Sequence, residues 1–428
     1  MTTMAIKRIH IENFRGFSDI TIDFSTGVTC IAGINGAGKT SILDALAIVL
    51  SWLRGMLLPE PQNGEYVKTT DKKKDAAFSA QIAADFEILG IVKQIDVGVD
   101  TTPGLTIKFA NKAEMMELYE VLQRYYSPNH LQNNLPVIAY YPVNRSDLNI
   151  NVSVEAARDF SDIYEIYSNC LKPTIQYKDF FQWFRDREDR ENAEMVLRFK
   201  NKQAESGYED KQLKAVRSAI KHLLPAFDEM TVDRKRMTIC VNKNTETLDF
   251  NSLSDGEKGL ITLFGDIARR LAIANDNMEN PLEGNGIILI DEVELHLHPS
   301  WQRKICNALK ATFPNCQFII TTHSPQILGE LQANEIWLLN HFQTYKPDIS
   351  FGLTSNEILD EIMDIIDDNT VLSRNEQIAK QLSELSRLIE CEEIEAAKQL
   401  VQSIEQQTGE IHEIRKYKHI IALEENEG

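Results

Sequence analysis

The chain has 428 residues, 45 Lys+Arg against 64 Asp+Glu for a formal charge of −19, with 43% hydrophobic and 25% charged residues. This is the composition of a globular protein of two or three compact units, and it excludes one that holds nucleic acid by bulk charge, though not one with a local basic groove. No apolar run reaches the roughly 18–20 residues of a membrane span, the opening segment lacks the long apolar stretch of a secretory signal, and six scattered cysteines (30, 170, 240, 306, 316, 391) with no CxxC pair read as reduced thiols of a cytoplasmic protein.

Apolar residues at Met4, Ile6, Ile9 and Ile11, then at Ile20, Ile22 and Phe24, predict two short strands broken near Arg15-Gly16. Val28–Ala32 reads as a buried strand running into Gly33–Thr40, and Ser41–Leu53 as the next helix. Residues 56–75, with Pro59, Pro61, Gly64 and Lys72–Lys74, read as a loop. Residues 78–109 alternate as strands with a hairpin turn at Pro103-Gly104. A helix at 113–126, a buried strand at Leu135–Tyr141 and a mostly helical stretch over 154–225 come next. Strands return at 230–250. Then helices (Asp255–Ala274, Ser300–Thr312, Pro325–Leu331) alternate with strands (Gly286–Asp291, Gln317–Thr321, Glu335–Leu339), which predicts an open, largely parallel sheet. From residue 356 the spacing of Ile358, Ile362, Ile365 and of Ile378, Leu382, Leu385 is helical. Residues 346–428 carry 8 Lys+Arg and 19 Asp+Glu, a net −11, leaving −8 for the first 345 residues.

Gly33-Ile-Asn35-Gly36-Ala37-Gly38-Lys39-Thr40 matches GxxxxGK[ST] without a mismatch, between a predicted strand and a predicted helix. Glycines let the backbone N–H groups turn toward phosphate oxygens, and the helix N-terminus adds favourable partial charge. Asn35, Gly36, Ala37, Gly38, Lys39, Thr40 and Ser41 are the expected nucleotide contacts, with Lys39 on the β- and γ-phosphates and Thr40 on Mg²⁺. A bare glycine-rich turn is the alternative. Ile287–Ile290 followed by Asp291-Glu292 delivers two carboxylates at the end of a buried strand. Asp291 is expected to hold Mg²⁺, and Glu292 to take a proton from the attacking water; an acidic helix cap is the alternative.

Leu253-Ser254-Asp255-Gly256-Glu257-Lys258-Gly259 resembles the LSGGQ or LSxGE signature of the ATP-binding-cassette ATPases, with a capped surface helix as the bland reading. In that family the signature clamps the γ-phosphate held by the partner subunit. The resemblance therefore implies a head-to-head homodimer, or a higher homo-oligomer, with Ser254, Gly256 and Glu257 acting on the other chain's ATP. Thr321-Thr-His323-Ser-Pro325 matches the family's switch histidine, so His323 is expected at the γ-phosphate and, with Lys39 and Glu292, in catalysis.

Asn13-Phe-Arg15-Gly-Phe17 resembles the opening of the recombination and chromosome-maintenance branch. Arg15 is read either as a phosphate contact or as a structural turn arginine. Tyr140–Arg145 occupies the place of the Q-loop, without its glutamine. Glu294-Leu-His296-Leu-His298-Pro stands where the D-loop falls, with a His-x-His metal site the lesser reading.

The fold class implied is α/β: an ABC-type P-loop ATPase head, a mixed sheet with N-terminal antiparallel strands, bearing a largely helical insertion and a helical C-terminal tail. Residues 1–55 and 230–345 form the ATPase domain, 56–229 a strand-containing arm and helical insertion, and 346–428 an acidic helical tail for oligomer or partner contacts.

The whole pattern is similar to the overcoming-lysogenization-defect, RecF and chromosome-maintenance branch, and most to the PtuA-type ATPase subunits of Septu anti-phage systems. That resemblance implies ATP and Mg²⁺ as cofactors, a separate HNH nuclease partner (PtuB-like), DNA reached through the complex, no membrane, and no nuclease site on this chain. Two other readings are a RecF-type repair ATPase acting directly on DNA and, against the Asn13–Phe17 opening, a transporter cassette. The basic clusters Lys72–Lys74 and Arg234–Arg236 read either as a DNA groove or as solvated loops.

Overall fold

β1 (Met4–Glu12) and β2 (Asp19–Asp23) alternate buried and exposed positions, as strands with one covered face do. β3 (Val28–Gly33) is buried at every position, and α1 (Lys39–Leu57) comes after it through the phosphate-loop sequence. The computed structural model describes residues 4–74, 79–102, 105–126, 134–143, 162–172, 177–201, 208–243, 246–363, 376–390, 393–408 and 412–427. Pro103-Gly104, Asn144, Arg145 and Ile365 thus lie outside the described residues.

β4 (Ser79–Ile88), β5 (Ile91–Thr102) and β6 (Leu105–Ala110) join the first two strands in an antiparallel sheet of order β2-β1-β4-β5-β6. After α2 (Lys112–Tyr126), β7 (Val137–Tyr141) opens the second half of the central sheet. That sheet runs β14-β13-β3-β12-β11-β7, built with β11 (Gly286–Ile290), β12 (Cys316–Thr322), β13 (Ile336–Asn340) and the short β14 (Gln343–Tyr345). All its pairings are parallel except β13–β14. β7, β11 and β12 are buried along their whole length. Parallel sheets covered on both faces require this, and it is why they read as unbroken apolar runs.

α1 packs against strands of both sheets. Among the described residues it is the one helix long and apolar enough to cross a membrane, but 72% of its most apolar stretch is buried inside the fold, as in the core helix of a globular domain. The two sheets are also stitched by Gln317 on β12. Its fully buried amide accepts from Ile6 N–H at 2.8 Å and donates to Ile6 C=O at 2.8 Å and Ser25 C=O at 2.7 Å. The β1–β4 register shifts between Ile6 and Arg8, next to the backbone groups that Gln317 takes.

The insertion contributes α3 (Tyr177–Lys200) and α4 (Lys211–Leu223), and a small antiparallel sheet of β8 (Phe227–Asp233), β9 (Thr238–Lys243) and β10 (Glu246–Asp249) comes after it. Phe180, Phe181, Trp183 and Phe184 bury the start of α3, whereas Met195, Val196, Leu197 and Phe199 near its end are exposed. α5 (Asp255–Ala274) packs on α4, α6 (Pro299–Thr312) comes after β11, and α7 (Pro325–Leu328) is a single turn, shorter than the sequence predicts.

The chain divides into two compact units, Met1–Gly352 and Leu353–Gly428. The second begins with the one-turn α8 (Ser355–Glu357) and a π-helical turn at Ile358–Met363. It continues with α9 (Glu376–Glu390), α10 (Ile394–Thr408) and α11 (His412–Glu427). Leu382, Leu385, Leu388, Ala397, Val401, Ile404, Ile414 and Ile421 form its own core. The apolar faces of α9, α10 and α11 therefore meet one another.

Candidate functional site

The parallel strands end together, so the residues just beyond β3, β11 and β12 meet along one edge. Gly36 (φ 82°) and Gly38 (φ 106°) take left-handed backbone in the loop after β3, a region that costs any side chain. Gly38 is the N-cap of α1 and supplies no side-chain acceptor, so the first N–H groups of the helix are left for an outside anion.

Lys39 is buried, and its ammonium donates to the carbonyls of Gly33 (2.7 Å) and Ile34 (3.0 Å). Burial lowers its pKa, with Glu292, Glu294 and Asp291 opposing. A buried ammonium folded back onto its own loop fits a site whose ligand is anionic. Asn35 and Gly36 are exposed, Ala37 is buried, and Thr40 is exposed.

Thr40 Oγ1 donates to Asp291 Oδ2 at 2.8 Å across 251 residues of sequence. The two residues expected to share Mg²⁺ are therefore adjacent, and this hydroxyl–carboxylate pair is the hard oxygen set such a cation takes. Thr321 Oγ1 donates to the other carboxylate oxygen, Asp291 Oδ1, at 2.5 Å and accepts from Glu292 N–H at 2.8 Å. Asp291 N–H is tied to Tyr141 C=O at 2.8 Å. Glu292 sits at φ 44°, left-handed for a residue with a side chain. Strain of this kind collects where the surrounding structure dictates a functional side chain's direction.

His323 Nδ1 lies 2.9 Å from Glu294 Oε1, and the same oxygen accepts from His323 N–H at 2.7 Å. The hydrogen bond to Glu294 raises the imidazole's pKa against the effect of burial, with Glu294 and Glu292 adding and Lys39 subtracting. Burial pushes Glu294 up, but its bonds from His323 outweigh that and hold the carboxyl below its ordinary range.

Arg15 (φ 51°) bonds Asp44 Oδ2 at 2.6 Å, Asp71 Oδ1 at 3.1 Å and Ser41 Oγ at 3.4 Å. It thus ties the N-terminal turn to the first turns of α1. Tyr140, in the Q-loop place, donates to Asp44 Oδ1 at 3.3 Å. Tyr141 donates to Asp266 Oδ2 at 2.9 Å, and Asp266 is clamped by the buried Arg269 and Arg270. Burial raises Asp266, yet the two guanidinium groups pull it well below the usual carboxylate range.

The signature segment is built differently. Ser254 is the N-cap of α5 and closes a capping box with Glu257: its hydroxyl takes Glu257 N–H at 3.3 Å, while Glu257 Oε2 accepts from Ser254 N–H at 3.1 Å. Lys243 holds the other Glu257 oxygen at 2.6 Å. A Cβ on Gly256 would stand 2.7 Å from His296 C=O, so the D-loop segment packs directly on the helix start. These residues line a separate cavity of about 370 Å³ with Leu297, His298 and Trp301. Among the described residues, no hydrogen bond joins Ser254, Gly256 or Glu257 to the 33–40 loop. His298 caps α6 through Ser300 N–H at 3.3 Å.

Of the basic clusters, Arg234 pairs with Asp189 and Glu188, and Arg236 with Asp233. Lys72 and Lys73 bond Thr101 and Ser18. Four of the six basic side chains thus have a partner within the fold.

Residues 4–328 match the AAA ATPase domain family. The chain belongs to that family. Relatives of this ATPase domain include the "Retron Ec83 probable ATPase" of Escherichia coli, 31% identical over 85% of this chain and 76% of the relative. The "Retron Vc95 probable ATPase" of Vibrio cholerae is 30% identical over 83% and 78%. The "Septu protein PtuA" of Bacillus thuringiensis is 24% identical over 84% of each chain. The chain is thus an ATPase-domain protein of the kind the motifs imply, with ATP as the nucleotide the family binds.

The sequence motifs contain Glu294 and Thr321 but assign them no role, and they do not include Asp44. Their signals are visible in retrospect: Asp44 lies one helical turn past Thr40, Glu294 three residues past Asp291, and Thr321 two before His323.

Proposed function

We propose that the chain is the ATPase component of a prokaryotic anti-phage defence system. In this reading two copies, head to head, bind and hydrolyse ATP at composite sites, and the nucleotide state controls a separate HNH-type nuclease. The observation that carries the ATP half is the Thr40–Asp291 contact at 2.8 Å, which brings the phosphate loop and the acidic strand end together. The defence half is supported by relatives named as retron ATPases and as Septu protein PtuA.

In this reading the α1 N-terminus and the 35–41 backbone cradle the phosphates, and Lys39 exchanges two loop carbonyls for phosphate oxygens. Thr40 and Asp291 would hold Mg²⁺, which neutralises charge developing on the phosphates. Glu292 accepts the proton of the attacking water. His323, held through Nδ1, presents its other nitrogen to the γ-phosphate. Arg15 acts through Ser41 and Asp44 and shapes the first turns of α1. Ser254, Gly256 and Glu257 complete the partner chain's site, and the acidic tail docks the nuclease through its outer surface.

Glu292→Gln tests the chemistry. Turnover measured by phosphate release should drop roughly 10²–10⁴-fold, while binding of a fluorescent ATP analogue with Mg²⁺ is retained and a closed dimer accumulates on size exclusion. Unchanged turnover removes Glu292 from the base role.

A further inference from the structure

The Asn13–Phe17 motif and the β13–β14 turn meet at the phosphate loop. β13 lies beside β3 in parallel, with Leu339 opposite Gly33, so the end of β13 delivers the chain to the loop at the end of β3. There it makes a two-residue turn, His341-Phe342, closed by the Asn340–Gln343 pair. Both turn residues are left-handed, φ 45° and 62°. Tight hairpins want this backbone, but they normally fill it with Asn-Gly; here both positions carry bulky rings, against their own preference.

The second ring lies against the phosphate loop. Phe342 meets Phe17 edge-on, centroids 5.3 Å apart at 89°, and Phe17 is fully buried. A Cβ on Gly38 would stand 2.8 Å from the Phe17 ring and 3.0 Å from that of Phe342. A Cβ on Gly16 would fall 2.1 Å from Phe342. The two rings thus occupy the space that side chains at Gly16 and Gly38 would need.

We propose that Phe342, backed by Phe17, is a positioning residue that braces Gly38 in its left-handed conformation and keeps the phosphate loop shaped before nucleotide arrives. The brace rests on the reading of residues 33–40 as the ATP-phosphate site. It gives the Asn13–Phe17 motif a job on both sides of the loop: Arg15 fixes the start of α1 from below through Ser41 and Asp44, and Gly16 and Phe17 make room and backing for the ring above Gly38. Binding to a loop that is correctly shaped only part of the time is weakened by that fraction.

Phe342→Gly separates the brace from ordinary structural support, because glycine suits the second position of this turn while removing the ring. In the full-length protein, Kd for a fluorescent ATP analogue with Mg²⁺, and KM for ATP, should rise on the order of tenfold, with kcat within about twofold of wild type. Phe342→Leu, which keeps an apolar contact, should fall between the two. Wild-type Kd in both variants, or a fall in kcat with KM unchanged, overturns the brace. Lys39→Ala is the control for the underlying site: if it binds the analogue as wild type does, the site reading fails, and the brace with it.

Discussion

Two helices in this chain start at motifs proposed to meet phosphate, and their N-termini are finished in opposite ways. α1 begins at a glycine with no side-chain acceptor, so its leading N–H groups face outward. α5 begins at Ser254 with a complete capping box, and Glu257 already occupies the place an anion would take. The first end needs a ligand to be satisfied; the second is satisfied alone. The local physics that makes a helix start attract phosphate is thus exposed in one motif and masked in the other. On the proposed reading, in which the signature works against a second chain's nucleotide, it has reason to be self-capped when alone.

The largest effect that would break this contrast is at the open end. Lys39→Ala should reduce ATP binding at least ~100-fold, since it removes the positive charge at the phosphates; retained binding would mean that α1 is not the anion site. Ser254→Arg sharpens the comparison from the other side. It should leave nucleotide binding by a single chain within about twofold of wild type and abolish turnover. In a mixture with Lys39→Ala chains, hydrolysis should return to a fraction of wild type through the one intact composite site that a mixed dimer holds. No recovery in the mixture would count against the signature acting in trans.

Glu294→Gln probes the histidine at the open site. Glu294 raises the imidazole's pKa, so the limb of the pH–rate profile that reports His323 should move to lower pH. The pair also contributes to folding in a definite window. Glu294's lowered pKa stabilises the fold above the ordinary carboxylate value of about 4.3, and this is lost as pH falls through the folded value. The raised imidazole stabilises below its ordinary value of about 6.5, and this is lost as pH rises through the folded value. The difference in melting temperature between wild type and Glu294→Gln should therefore be widest between those two pH values.

The smallest effect is at the closed end. Glu257→Ala opens half the capping box and should cost about 1 kcal/mol, read by urea unfolding. If the cap is what masks the anion site, the variant also binds inorganic phosphate more tightly than wild type.

Much of this was legible from residues alone, for reasons the structure makes plain. The 33–40 loop, Asp291-Glu292 and the 253–259 segment are contiguous motifs whose spacing carries their chemistry, and the strand–helix order around them comes from unbroken apolar runs in a sheet covered on both faces. The residues that escaped notice act across the sheet. Glu294 is known as the histidine's partner only once β11 and β12 are side by side. Phe342 meets Gly38 only because β13 pairs with β3. In the tail, helical spacing reports the apolar faces but not that those of α9, α10 and α11 cover one another.

The stitch between the two sheets has a mechanical meaning. β12 carries Gln317 near one end, gripping Ile6 and Ser25, and Thr321 near the other, gripping Asp291 and Glu292. A strand laddered on both sides does not stretch; over seven residues it behaves as a stiff rod of about 20 Å. On the proposed reading, a tilt imposed on the N-terminal sheet would reach Asp291 and Glu292 as a displacement of this strand, without a relay of side chains between.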